Sequence, residues 1–341
     1  MKSVTQRIKE IKQPIGGYIN PKLFDLIEQD DGNVLYDEEN INPGLVGLVI
    51  DYMTRFLNSG DKEEAFKISL MGAKLINETR KAYKLLENIN GIDEDSIISA
   101  CKLCGYDVCL RASITYFKNV DEINPNKETI HNINIMIKRG LTFFKEYGPV
   151  IKDGITFRGG YTSIISSRDA DFITYDTLWD FKVSKKSPTK DHTLQLIVYY
   201  LLGIHSYECD FSNIKKIGIF NPRKNTVYLY ELKNISENII KEIEKEVIGY
   251  KNNKIQDSNF NIMTIKDIMD ELNISRSMVM KYYANYGLPL RKEKNKYIIE
   301  RNDYLIWIEQ MKKLKERQES FTIIITIIVL FLLFVFGFAL T

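Results

Sequence analysis

The stretch Asp171-Phe-Ile-Thr-Tyr-Asp-Thr-Leu-Trp-Asp-Phe-Lys-Val-Ser184 decides how the rest of the chain is read. Taken as a β-hairpin turning at Tyr175-Asp176, it sets Asp171 directly across from Asp180 and Ile173 across from Leu178. Directly opposed side chains in such a pair sit about 5 Å apart at Cβ. Strand alternation keeps Asp180 and Lys182 on one face and turns Trp179, Phe181 and Val183 to the other. Apolar residues on both faces predict burial on both sides, and buried carboxylates need partners. Two carboxylates that face each other repel unless something cationic stands between them. A divalent metal ion and the adjacent lysine ammonium would meet that need.

Around the hairpin the hydrophobic period is that of strands. Residues 155–161, 170–174, 178–183, 214–220 and 226–232 read as strands, with a helix over 191–202 and another over about 235–250. The order β-β-β-α-β-β followed by a helix predicts a mixed α/β (α+β) sheet flanked by helices over residues 149–250. Residues 1–148 read as a mostly helical N-terminal region, with apolar residues at helical spacing over 45–57 and 130–144. A polar linker is expected over 251–262. A compact helical unit follows over 263–318.

The pattern Asp171, Asp180-x-Lys182, then Gln195-x-x-x-Tyr199 on the next helix resembles the PD-(D/E)XK nuclease superfamily, nearest its exonuclease and recombination-nuclease branches. The likeness covers about residues 140–250. It implies that Asp171 and Asp180 ligate Mg²⁺ (or Mn²⁺) together with the backbone carbonyl of Phe181. It further implies that Lys182 orients or deprotonates the attacking water, and that Gln195 and Tyr199 contact substrate or order the site. Some relatives add an upstream Glu or His, for which Glu146 is the candidate. Asp169 has the same strand parity as Asp171 and could exchange with it. The residue types suit the chemistry: Mg²⁺ takes a few carboxylate oxygens plus water and phosphate, and acidifies a bound water. The expected activity is metal-dependent hydrolysis of DNA. The alternative is a DNA-tethering or regulatory protein that keeps the fold without the catalysis. His192 stands at i, i+3 to Gln195, where it would touch a phosphate or merely cap the helix.

Residues 264–289 read as a helix-turn-helix. Thr264 N-caps a first helix ending near Leu272, Asn273-Ile-Ser275 forms the turn, and Ser275 caps a second helix stopped by Gly287 and Pro289. The unit is similar to the winged helix-turn-helix of the MerR and excisionase groups, with a strand pair over 290–300 and a helix from Arg301 to about Gln318. That likeness implies duplex DNA as partner. Arg276, Ser277 and Lys281 would lie in the major groove, and Lys292, Lys294 and Lys296 on a wing against phosphate. Residues 264–318 hold twelve Lys/Arg against eight Asp/Glu, so the unit carries a local positive excess despite the chain's net charge of only +2.

Four cysteines and no N-terminal signal pattern read as a reducing, cytoplasmic setting. Cys101-x-x-Cys104-x4-Cys109 could suggest a metal site, but its apolar helix-like surroundings favour buried free thiols. The uncharged run from Phe321 to Leu340 is long enough to span a ~30 Å hydrocarbon core. Lys312, Lys313, Lys315 and Arg317 before it would keep the bulk of the protein cytoplasmic. The expected placement is therefore a single-pass, tail-anchored membrane protein.

Overall fold

The computed structural model describes residues 2–167, 170–206, 210–250, 262–293, 296–300, 303–304, 307–308 and 311. The chain forms two compact units, 1–252 and 253–341. The first is built on a six-stranded sheet. Its elements are β1 (Asp25–Glu28), α1 (Pro43–Ser59), α2 (Lys127–Tyr147), β2 (Lys152–Ile155), β3 (Ala170–Ile173), β4 (Thr177–Phe181), α3 (Lys190–Ile204), β5 (Lys216–Asn221) and β6 (Thr226–Glu231). The strands lie in the order β1-β6-β5-β4-β3-β2. Only β4 and β5 run parallel, and α3 connects them. A parallel pair needs such a crossover, whereas the antiparallel hairpins need only short turns.

The hairpin register is the one read from the sequence. Phe172 pairs with Trp179 and Ile173 with Leu178, and Thr174 N–H donates to the Thr177 carbonyl at 3.0 Å across the turn. Packing on both faces holds that register, because a one-residue slip would exchange the faces. On one face Phe143 of α2 stacks on Phe220 at 4.3 Å and meets Trp179 edge-on at 4.8 Å. On the other, Ile173, Leu178, Ile217 and Ile219 join Leu194, Ile197 and Leu201 of α3 in one buried cluster.

The N-terminal region is not a separate helical piece. Helix Val4–Glu10 packs on α3, and β1 extends the sheet beside β6. Phe24 stacks on Tyr230 at 5.1 Å. Arg139 of α2 ties these parts together. Its guanidinium donates to both carboxylate oxygens of Asp31 at 2.7 and 2.8 Å, and to the carbonyls of Asn33, Pro222 and Arg223. That bidentate grip holds the Asp31 carboxyl well below the usual carboxylate range. The helices from α1 to α2 form their own buried cluster around Tyr52, Phe66, Tyr106 and Met136. The strand expected over 155–161 ends at Ile155 instead, because β2 pairs β3 earlier in the chain, with Lys152 opposite Ile173.

The expected fold class is corrected in one respect and the expected placement in full. The sheet and its helices are present, but among the described residues no helix is long and apolar enough to cross a membrane. α3 is buried along nearly its whole length yet has only 15 residues, short of the ~20 a span requires. α2 has 21 residues, but its exposed side carries charge. The run 321–340 lies outside the described residues, as do most of 301–318, residues 251–261 of the linker expected over 251–262, Lys294, Asp169 and Cys209. The single-pass, tail-anchored placement is not retained.

The second unit combines short helices with a small antiparallel sheet. A strand, β7 (Ile262–Thr264), precedes α4 (Ile265–Leu272) and α5 (Arg276–Asn285), and β8 (Arg291–Glu293) pairs β9 (Lys296–Glu300). Thr264 caps α4 in a reciprocal box with Asp267, Asn273 closes it in the left-handed conformation, and Ser275 caps α5. Its core gathers Ile265, Ile268, Val279, Leu288, Ile299, Tyr304 and Trp307.

One glycine tests the sheet packing. Gly218 of β5 pairs with Trp179, and a Cβ there would stand 2.3 Å from the indole ring. Gly218→Ala should destabilise the first unit by about 1–3 kcal/mol, the usual cost of overpacking. A urea midpoint that does not move would show that Trp179 is not seated there.

Candidate active site

The hairpin brings its polar residues together at the end where β4 and β5 finish side by side, the position where open sheets with parallel strands bind ligands. The neighbouring loops are joined there: Asn221, buried, donates Nδ2 to the Ser184 carbonyl at 2.7 Å and accepts from Arg223 N–H at 3.1 Å. Asp180 is 2% exposed. Its Oδ1 accepts from Lys182 Nζ at 2.8 Å, while its Oδ2 is buried with no hydrogen-bond partner. Asp171 Oδ2 accepts from the Phe181 N–H at 2.6 Å. The Phe181 ring packs edge-on against Phe220 at 5.5 Å, which fixes that part of the backbone.

This group carries more negative than positive charge. Burial pushes the Asp171 carboxyl up to about 7. Asp180 and Asp51 push the same way, against Lys182 and the Phe181 N–H. Gly154 of β2 falls opposite Asp171 in the β2–β3 register, with a positive φ of 54° and nothing within 4 Å of where a Cβ would stand. An orphaned buried carboxylate oxygen beside a second carboxyl whose pKa is raised is a local cost that a cation would relieve. Among the described residues no group of three or more His, Cys, Asp or Glu side chains could hold a metal. Mg²⁺ does not need three, since it keeps several waters and binds through one or two carboxylates plus phosphate. Asp171 and Asp180 therefore fit Mg²⁺ or Mn²⁺ as a carboxylate pair.

Gln195 and Tyr199 are brought to each other. Gln195 Nε2 donates to Tyr199 Oη at 2.9 Å, both are buried, and Tyr199 stacks on Phe157 at 5.4 Å. They brace α3 beneath the sheet. His192 stands nearer the charged group. Burial and then the Lys182 ammonium hold its pKa below the usual value, against Asp180 and Asp191. Its Nδ1 accepts from the Thr189 N–H at 3.2 Å, so the neutral ring keeps its proton on Nε2. Glu146 does not join the site; it hydrogen-bonds Gln29 at the surface. The carboxylates that sequence reasoning missed are Asp51 of α1 and Asp153 of β2, on either side of Arg55 at 3.3 and 3.7 Å. The Asp51/Arg55 spacing of i, i+4 was visible as a helix ion pair, but nothing local tied it to the hairpin.

Cys101, Cys104 and Cys109 are buried free thiols. Burial pushes the Cys101 thiol up to about 12, which makes it a poor nucleophile. In the second unit Arg276, Ser277 and Lys281 are exposed along α5, and Lys292 and Lys296 are exposed on the strand pair. Lys292 Nζ lies 5.9 Å from the Tyr297 ring centre, and Lys296 is directly opposite Glu293. Comparison of the chain with family models, curated proteins and solved structures returns no match.

The charge imbalance has a pH signature. Asp171 titrates near 7 when folded and near the ordinary 3.8 when unfolded. Between those values the unfolded chain loses a proton that the folded chain keeps. The stability contribution is thus full below about pH 4 and is lost as pH rises to about 7, on a scale of about 1.4 kcal/mol per pKa unit. Asp171→Asn should remove this slope and raise the urea midpoint of chelator-treated protein at pH 8. Identical pH profiles for the two proteins would show that Asp171 is not so strained.

Proposed function

We propose that the chain is a Mg²⁺- or Mn²⁺-dependent nuclease that hydrolyses DNA phosphodiester bonds, with a winged helix-turn-helix that docks on duplex DNA. The observation that carries this reading is the unpartnered, buried Asp180 Oδ2 beside a desolvated Asp171 and the Lys182 ammonium. An unpaired buried carboxylate oxygen is costly, and a cation that arrives with the substrate would relieve that cost. The ion, when bound, would polarise the phosphoryl group and acidify water.

The chain's own residues have distinct parts in this reading. Lys182 holds Asp180 Oδ1 and so turns Oδ2 toward the site. Its ammonium is then placed to stabilise negative charge developing on the phosphate, as fixed cations do in a desolvated site. The Phe181 N–H fixes the Asp171 rotamer. Gln195 and Tyr199 keep α3 seated, and His192 Nε2–H is a donor for a phosphate oxygen or a water.

Asp180→Asn and Lys182→Met should each lower Mg²⁺-dependent cleavage of DNA by a factor of at least 100, within the range that a lost electrostatic group costs, while the circular dichroism stays native. The wild type should also gain thermal stability with Mg²⁺ or Mn²⁺, and Asp180→Asn should not. A wild type that binds duplex DNA yet cleaves no DNA form with either metal would leave the tethering role instead.

The helix-turn-helix reading rests on the caps that fix α4 and α5, Thr264 and Ser275, and on the exposed Arg276, Ser277 and Lys281 along α5. Duplex binding should weaken steeply with salt, because phosphate contacts release counterions. Arg276→Ala should blunt preference among sequences, while Lys292→Ala should weaken all sequences alike and flatten the salt slope by about one. Gel shifts across a salt series would decide it; binding that ignores salt would point to a protein partner for this unit.

A further inference from the structure

The loop that joins β4 to α3 carries a run of one charge. Residues 182–190 read Lys-Val-Ser-Lys-Lys-Ser-Pro-Thr-Lys, with four lysines and no acidic residue. Topology fixes its place. β4 ends at Phe181, one residue past Asp180, and α3 starts at Lys190. Leu178 has the strand parity of Asp180 and shares a buried cluster with Leu194, Ile197 and Leu201, so α3 lies over the face that carries Asp180. The loop is therefore a rim of the candidate site, between the strand end that bears Asp180 and Lys182 and the first turn of α3. It is braced at several points. Asn221 Nδ2 donates to the Ser184 carbonyl at 2.7 Å, the Lys186 N–H to the Ser184 hydroxyl at 3.0 Å, and the Thr189 N–H to His192 Nδ1 at 3.2 Å. Lys224, in the β5–β6 turn, adjoins a cleft lined by Glu28 and Asp30, but its Nζ donates to the Ser187 hydroxyl at 3.2 Å and so joins the rim.

We propose that Lys186, Lys190 and Lys224 form a surface that holds the backbone of the nucleic-acid strand entering the site, each ammonium taking a phosphate that flanks the one cleaved. This rests on the nuclease reading above and names the substrate class as a polynucleotide rather than a mononucleotide or an isolated phosphodiester. Uncompensated charge carries the inference first. The three lysines are exposed, and no described carboxylate pairs with them. Neighbouring acids are engaged elsewhere: Asp191 Oδ1 accepts from Gln13 at 2.6 Å, and Glu39 is bound by both terminal nitrogens of Arg223 at 2.8 Å. Lys185 is not counted, because it donates to the backbone carbonyl of Asp37 in an acidic stretch. Polarity carries it second. The centre of the site is acidic, with Asp171 and Asp180 facing each other, and repels a phosphate strand; a fixed positive rim offsets that repulsion and draws a polyanion in. Scale carries it third. Lys182 and Lys186 are at most about 14 Å apart along the chain, while one strand of a duplex presents a phosphate every ~3.4 Å of axis. The rim thus falls within about four phosphates of the site. Lysines suit this task, since they meet phosphate as point charges and read no sequence. The alternative is a set of solvated lysines with no ligand, and it predicts different outcomes below.

The test uses the full chain with Arg276→Ala and Lys281→Ala as the parent, which takes the exposed charges off α5, and Ca²⁺ in place of Mg²⁺ so that binding is not followed by cleavage. Fluorescein-labelled single strands of about 4 and about 16 nucleotides, the range that such binding surfaces cover, are read by anisotropy. Adding Lys186→Gln, Lys190→Gln and Lys224→Gln should weaken binding of the longer strand roughly 10- to 100-fold. The log–log salt slope should flatten by about 2, from three phosphates at about 0.7 each. The gain in affinity from the short strand to the long one should shrink. Arginine at the same three positions should restore binding, which separates lost charge from lost fold. A control of equal charge, Lys74→Gln, Lys84→Gln and Lys118→Gln at three exposed positions of the N-terminal region, should bind like the parent. Parent-like binding by the rim variant, or an equal loss in the control, overturns the proposal. If the parent cleaves DNA with Mg²⁺ and either of those results is found, the inference alone fails. If binding falls as expected but the parent cleaves nothing with Mg²⁺ or Mn²⁺, the nuclease reading fails and the rim stands as a nucleic-acid surface of the tethering role. A parent that neither binds nor cleaves nucleic acid overturns both.

Discussion

Two carboxylates facing each other across a hairpin, one of them paired with the Lys182 ammonium, set the terms for the first unit. Asp171 and Asp180 cannot move apart, because the residues around them are pinned on both faces of the sheet. Phe172 and Trp179 are packed under α2, and Ile173 and Leu178 under α3. A slip of one residue would bury polar side chains and expose aromatic ones, so the register holds against the repulsion. Lys182 neutralises one oxygen of Asp180 and leaves the other bare. The result is a small region of stored electrostatic cost inside a well-packed frame, the kind of local conflict that functional sites show.

The frame is assembled from distant parts of the chain. The first thirty or so residues supply a helix against α3 and the far edge strand of the sheet. Helices α1 and α2 then cover the opposite face and carry Asp51 and Arg55 to the near edge. Arg139 links these regions through one buried guanidinium, where each donor has an acceptor and the charge has a bidentate carboxylate. The unit therefore behaves as one body although its sequence reads as a helical region followed by a sheet.

The second unit has a different balance. Its α5 and the C-cap Tyr286 present Met278, Tyr283 and Tyr286 to solvent beside Arg276 and Lys281. Tyr282 and Tyr283 also touch the rest of the unit, through Trp307 and Tyr297. A short strand pair with alternating charge flanks it, and there Glu293 offsets Lys296. The positive excess read from composition is thus concentrated on fewer exposed groups than the sequence count implies. This makes Arg276 and Lys281 the more telling positions for any groove contact.

What could be read from sequence alone was local. The hairpin register followed from period-two alternation over one short stretch. The caps at Thr264 and Ser275 followed from side chains that bond their own backbone within three residues. The order of strands around α3 followed from where the hydrophobic period changes. Tertiary structure decided what depends on contacts across the chain. Strand β1 is four residues long and exposed throughout, so it carries no alternation to detect; it exists because β6 offers it an edge. Asp51, Arg55 and Asp153 reached the hairpin, and Glu146 did not, because helix packing rather than residue type determines which carboxylates meet. Gln195 and Tyr199 form a pair because one helical turn separates them. α3 shows the limit of hydropathy most directly. Its run from Leu196 to Leu202 is apolar, and only the sheet and helices packed around it show what covers it.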